Sequence, residues 1–147
     1  MKQFLITFGI IITSLVFGNT AMSQSSSAIA QVEESIKANG KYAILAGNYK
    51  HLEGAVRTGL RMRAEKPGIV FQIVLIGPVV KEISADKHLI ELVEDCARAD
   101  IKIVLCQNAM KALGVDKADL HPYLETTSSG FLYIFGLQEN DFKVLTL

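Results

Sequence analysis

Cys106 is the residue best placed for chemistry, in the run Ile101-Lys102-Ile103-Val104-Leu105-Cys106-Gln107-Asn108-Ala109-Met110-Lys111-Ala112-Leu113-Gly114. An apolar run rich in β-branched residues ends at the cysteine, and a short helical pattern starts directly after it. A thiol there lies at the C-terminal edge of a strand and at the positive end of a helix. Backbone N–H groups in that position favour the thiolate, which is the reactive form. Open α/β sheets also bind their ligands at this edge. Asn108 is positioned to cap the helix or donate to bound sulfur. Lys111, one turn further, adds positive charge. Gly47-Asn48-Tyr49-Lys50-His51 and Gly77-Pro78 follow two other predicted strands and lie at the same edge. Asn48, His51 and Gly77 are therefore candidate ligand-binding residues. The bland alternatives are solvated turns, an exposed helix lysine and a buried strand-end cysteine.

Other chemistries lack their landmarks. The chain has no phosphate-binding G-x-x-x-x-G-K-[ST], and no G-x-G-x-x-G follows the first strand. It has no G-x-S-x-G elbow and no C-x-x-C. His51, His88 and His121 are isolated, so no metal centre is expected, and no cofactor is implied. With 15 basic and 15 acidic residues, nothing suggests an electrostatic grip on nucleic acid.

Cys96 is the only other cysteine. The 86–99 segment reads as a helix with Leu89, Ile90, Val93, Cys96 and Ala97 on one face. That places Cys96 at the bottom of the next strand and Cys106 at its top. Five strand residues span roughly 16 Å at about 3.3 Å each. A disulfide needs Cα atoms within about 7 Å. Cys96 then reads as an inert core residue and Cys106 as an unpaired thiol.

The elements that position Cys106 alternate between strand and helix. Apolar runs predict strands over 42–46, 69–76, 101–105, 125–127 and 142–145. Helical spacing predicts helices over 28–39, 51–65, 86–99, 108–113 and 131–139, with one turn at 79–83. The first three strands are apolar on both faces, as covered parallel strands must be. The expected fold is a three-layer α/β/α sandwich with a five-stranded parallel sheet. Strand order does not follow from the pattern.

The N-terminus reads as a separate object. One lysine precedes an apolar run of about 15 residues over 4–18, short of the roughly 20 needed to span a bilayer. Small and polar residues follow, with Ala21-Met22-Ser23 as a small-x-small cleavage site. The expected organisation is a signal peptide over 1–23, a linker and short helix over 24–40, and a domain over 41–147. A retained membrane anchor is the rival reading. Cleavage makes the product periplasmic or secreted, without stable membrane insertion.

Several motifs then converge. Cys106 to Gly114, Asp119-Leu120-His121-Pro122, Ser129-Gly130, Leu137-Gln138 and the closing Phe142-Lys143-Val144 occur in this order. Together they resemble the DsrE/DsrF-like family, from about residue 42 to the end. The resemblance implies a parallel five-stranded α/β/α fold and a homo-oligomer, often a trimer or hexamer. In sulfur-relay members a cysteine after this strand carries sulfur as a persulfide, and by position that residue is Cys106. The resemblance thus implies a sulfur carrier with sulfurtransferase-like activity, exchanging sulfur with a donor or acceptor protein or a small thiol. The alternative is a non-catalytic small-ligand or protein-interaction module of the same fold. Established relay members are cytoplasmic, whereas this chain carries an export pattern.

Overall fold

The structure, a computed structural model, describes residues 20–147. The apolar run over 4–18, on which the signal-peptide reading rests, lies outside the described residues. Among the described residues, no helix is long and apolar enough to cross a membrane. The chain divides into two units, 1–36 and 37–147. The described part of the first contains α1, Thr20–Glu34. The expected helix over 28–39 thus starts earlier and stops sooner.

The second unit holds one sheet of five parallel strands: β1 Lys41–Ala46, β2 Val70–Leu75, β3 Lys102–Cys106, β4 Glu125–Thr127 and β5 Lys143–Thr146. Its order is β4-β3-β2-β1-β5. The chain steps outward from β1 to β4, then returns across the sheet to lay β5 on the far side of β1. This return is made by α6, Gly130–Glu139. The other helices are α2 Tyr49–Glu65, α3 Val79–Glu82, α4 Lys87–Arg98 and α5 Gln107–Leu113, with a 3-10 turn at Lys117–Asp119.

Alternation along the strands assigns the layers. Ala43, Leu45 and Val74 cluster with Ile134 and Leu137 of α6. Phe71, of opposite parity on β2, lies under α2: a Cβ at Gly59 would meet its ring at 2.8 Å. Hence α6 covers one face, and α2, with α4 beside it, covers the other. The expected three layers are present. Ile73, Leu75, Ile103 and Leu105, all fully buried, fill the α2 side.

Polar caps set where these helices begin. The Asn48 side chain accepts from the His51 N–H at 3.0 Å, and that of Asp86 from the Leu89 N–H at 3.0 Å. Ser129 accepts from the Leu132 N–H at 3.4 Å. At the opposite end, Gly114 adopts φ +66°, and Val115 N–H closes onto the Met110 carbonyl at 3.0 Å. This is the left-handed stop that glycine allows.

Candidate functional site

Cys106 is both the last residue of β3 and the N-cap of α5. One correction follows. Asn108 does not cap this helix: it is the second helical residue and is exposed. Lys111 is exposed on α5 and, with Gln107, Met110, Val115, Lys117 and Thr126, lines a cavity of 150 Å³. Cys106 does not line it.

The thiol points to the α6 side. It pairs with Thr127 across the β3–β4 ladder, and a Cβ at Gly130 would approach its own Cβ to 3.3 Å. The same added carbon would meet Ile76 Cγ2 at 2.7 Å. Glycine at the first position of α6 therefore lets that helix start directly on Cys106. The residue is 5% exposed. Next to it, the Gln107 amide donates to Thr126 Oγ1 at 2.9 Å, tying α5 to β4. Sequence reasoning singled out Ser129-Gly130 as a motif but missed Gly130 as a neighbour of the thiol. The small residues before an apolar helix were the available signal.

Cys96 and Cys106 are both free and buried. Cys96 ends α4's buried stripe at the bottom of β3, where its carbonyl accepts from Ile101 N–H at 2.9 Å. Burial, with a smaller push from Asp95, raises its thiol to about 12. It is inert near neutral pH.

The remaining candidates stand apart from the thiol. Asn48 and His51 follow β1, and β2 separates β1 from β3. Two strand spacings place them roughly 10 Å away across the sheet. The Asn48 amide also approaches the His51 ring nitrogens at 3.1 and 3.3 Å, so the two side chains engage each other. The 47–50 loop is shorter than expected, because Tyr49 and Lys50 already belong to α2. Gly77 has φ +63°, and a Cβ there would lie 3.1 Å from the Gly47 carbonyl oxygen. Its glycine serves the close approach of two loops.

A groove of 560 Å³ runs along α6, lined in part by Thr127, Leu132, Tyr133, Gly136 and Phe142. Thr127 joins its upper end to the strand position opposite Cys106. Near the groove, Tyr133 Oη donates to Gln72 at 2.8 Å, and Lys102 donates to Glu125 at 3.2 Å. The Glu125 bond raises the Lys102 ammonium above its ordinary value. Burial pushes the Tyr133 phenol up. Among the described residues, no group of His, Cys, Asp and Glu could hold a metal ion.

The pattern of the DsrE/DsrF-like family matches residues 8–147, nearly the whole chain. The chain belongs to this family. Three solved structures share this DsrE-like fold. The Escherichia coli ychN protein aligns with TM-score 0.65 at 15% identity, covering 74% of this chain and 99% of that one. A protein of unknown function, MTH1491 of Methanobacterium thermoautotrophicum, gives 0.64 at 17%, covering 73% and 96%. A conserved protein of unknown function, BT1422 of Bacteroides thetaiotaomicron, gives 0.59 at 18%, covering 77% and 99%. At such identities the likeness is one of fold. A search of curated proteins gave no match.

Proposed function

We propose that this DsrE-like protein is an exported single-thiol sulfur carrier working through Cys106. The observation that carries the reading is the place of Cys106: unpaired, at the strand end, capping α5 and touching the first residue of α6. In the step proposed, the Cys106 thiolate attacks the sulfane sulfur of a persulfide or polysulfide donor. The donor's S–S bond breaks, its thiolate leaves, and Cys106 holds the transferred sulfur as a persulfide. An acceptor thiolate then attacks that outer sulfur and returns Cys106 to the thiolate. No net oxidant is needed, because the sulfane sulfur moves between thiols. With no C-x-x-C partner, the chain carries sulfur rather than forming an internal disulfide. The export reading rests on the 1–23 pattern and is checked by N-terminal sequencing of protein from the periplasm or medium.

The test of the carrier is intact and peptide mass spectrometry after polysulfide exposure. One sulfur, about 32 Da, should appear on Cys106 and vanish in Cys106→Ser. Equal loading of the Ser variant sinks the proposal.

A second reading draws on the 5% exposure of Cys106. Here the fold is a non-catalytic binding module and the thiol is packing. Alkylation of folded protein separates the two. A carrier's Cys106 reacts without unfolding, whereas a packing cysteine reacts only at the rate of global opening.

A further inference from the structure

We infer that the sulfur donor to Cys106 is an inorganic polysulfide rather than an organic or protein persulfide; this rests on the carrier reading above. The thiol is free, 5% exposed, and makes no cap bond to α5. Its surroundings are small and uncharged. Thr127 is its partner across the β3–β4 ladder, and Gly130 starts α6 against it. A Cβ at Gly130 would meet Ile76 Cγ2 at 2.7 Å, Cys106 Cβ at 3.3 Å and Val74 Cγ1 at 3.5 Å. On the α6 side, then, not even a methyl group fits without displacing the wall. The opening that remains is narrow, and half-buried Ile76 forms part of its rim.

Shape and charge select the donor. In thiol exchange the attacking, transferred and leaving sulfurs lie nearly in line, so the donor must enter end on. An inorganic polysulfide is an unbranched chain of divalent sulfur, one atom wide, with no group that needs its own recognition. Glutathione persulfide or a persulfidated protein brings carboxylates, amides and bulk to the same opening. The charged and polar candidates do not meet such groups there. Lys111 lines a cavity that Cys106 does not reach, and Asn48 and His51 engage each other beyond β2. What the site does offer is a preference for an anion. The Ser129 side chain takes the Leu132 N–H, while the N–H groups of Gly130 and Phe131 belong to the first turn of α6, which has no intrahelical acceptors. In the step, the Cys106 thiolate attacks the terminal sulfur of a hydropolysulfide. The bond from that sulfur to the rest of the chain breaks, and the shortened polysulfide leaves with the electron pair. Cys106 keeps the terminal sulfur and its proton as a persulfide. No oxidant is consumed, because one S–S bond replaces another.

Mass spectrometry of the full chain tests this, with loading of Cys106 timed for three donors: sodium tetrasulfide, glutathione persulfide and a persulfidated rhodanese. Each rate is divided by that of the same donor on a synthetic 101–114 peptide, which removes the donor's intrinsic reactivity. The folded chain should favour tetrasulfide over both others by at least about tenfold, the smallest discrimination a shaped pocket gives. Ile76→Ala, which cuts back the rim, should raise the glutathione persulfide rate and lower that preference. The milder Ile76→Val should shift it the same way. A merely structural role for Ile76 would change stability and leave the ratio of donors alone. Equal normalised rates overturn the inference while leaving Cys106 a carrier, and so does faster loading from the persulfidated protein. Loading from none of the three overturns the carrier reading itself, and this inference with it.

Discussion

Two cysteines on either end of one strand have opposite characters. Cys96 is fully buried on α4, while Cys106 lies at a helix start under a single glycine. The hydrophobic spacing of 86–99 already set Cys96 on the core face. Strand length already kept it away from Cys106. The raised Cys96 thiol has a consequence for stability. Unfolded, it titrates near 9.0; folded, it holds its proton to about 12. Between these values the unfolded chain binds fewer protons, so stability falls as pH rises. Half-buried Tyr123 and Tyr133, both raised by desolvation, act in the same direction. Urea titrations at pH 8 and pH 10.5 should therefore show a smaller alkaline loss for Cys96→Ala than for wild type. Cys96→Ser should lower stability by about 1–3 kcal/mol at pH 7, because a hydroxyl replaces a core thiol.

At the scale of elements, capping decides where side chains can act. Asn48 is a cap for α2 before it is anything else. Asn48→Ala should cost about 1 kcal/mol in chemical denaturation and leave the alkylation rate of Cys106 unchanged. A large change in that rate would return Asn48 to the site. Gly130 is the reverse case. Gly130→Ala puts a carbon 2.7 Å from Ile76 and 3.3 Å from Cys106. The expected loss is about 1–3 kcal/mol from overpacking, with an altered Cys106 alkylation rate. Element types and approximate limits were legible because strand runs and helix stops are local. The 47–50 loop and the Asn108 cap were misplaced because a cap is chosen by backbone geometry. Cys106 took the N-cap position when β3 ran one residue further than its pattern.

The whole molecule depends on a residue that no motif marked. Arg63, near the end of α2, donates to the carbonyls of Pro67, Ile69 and Ala99. It thereby ties the α2–β2 connection to the α4–β3 connection at the lower edge of the sheet. Arg63→Ala should lower the unfolding free energy by about 2–3 kcal/mol, since three carbonyls lose a charged donor. Arg63→Lys should recover only part of this, because an ammonium does not reproduce the guanidinium fork.

Taken alone, the chain determined five parallel strands, their alternation with helices, the separation of the two cysteines and the family resemblance. These depend on hydrophobic period, turn residues and spacing, all short-range. Only the tertiary structure decided that β5 returns beside β1 and that α6 crosses the opposite face. That crossing sets Gly130 on Cys106 and turns Phe131 and Phe135 outward, while the placement of β2 between β1 and β3 keeps Asn48 and His51 apart from the thiol. The physical reason is that a parallel strand pairs equally well by pattern with several neighbours. Packing of the crossover helices selects among them.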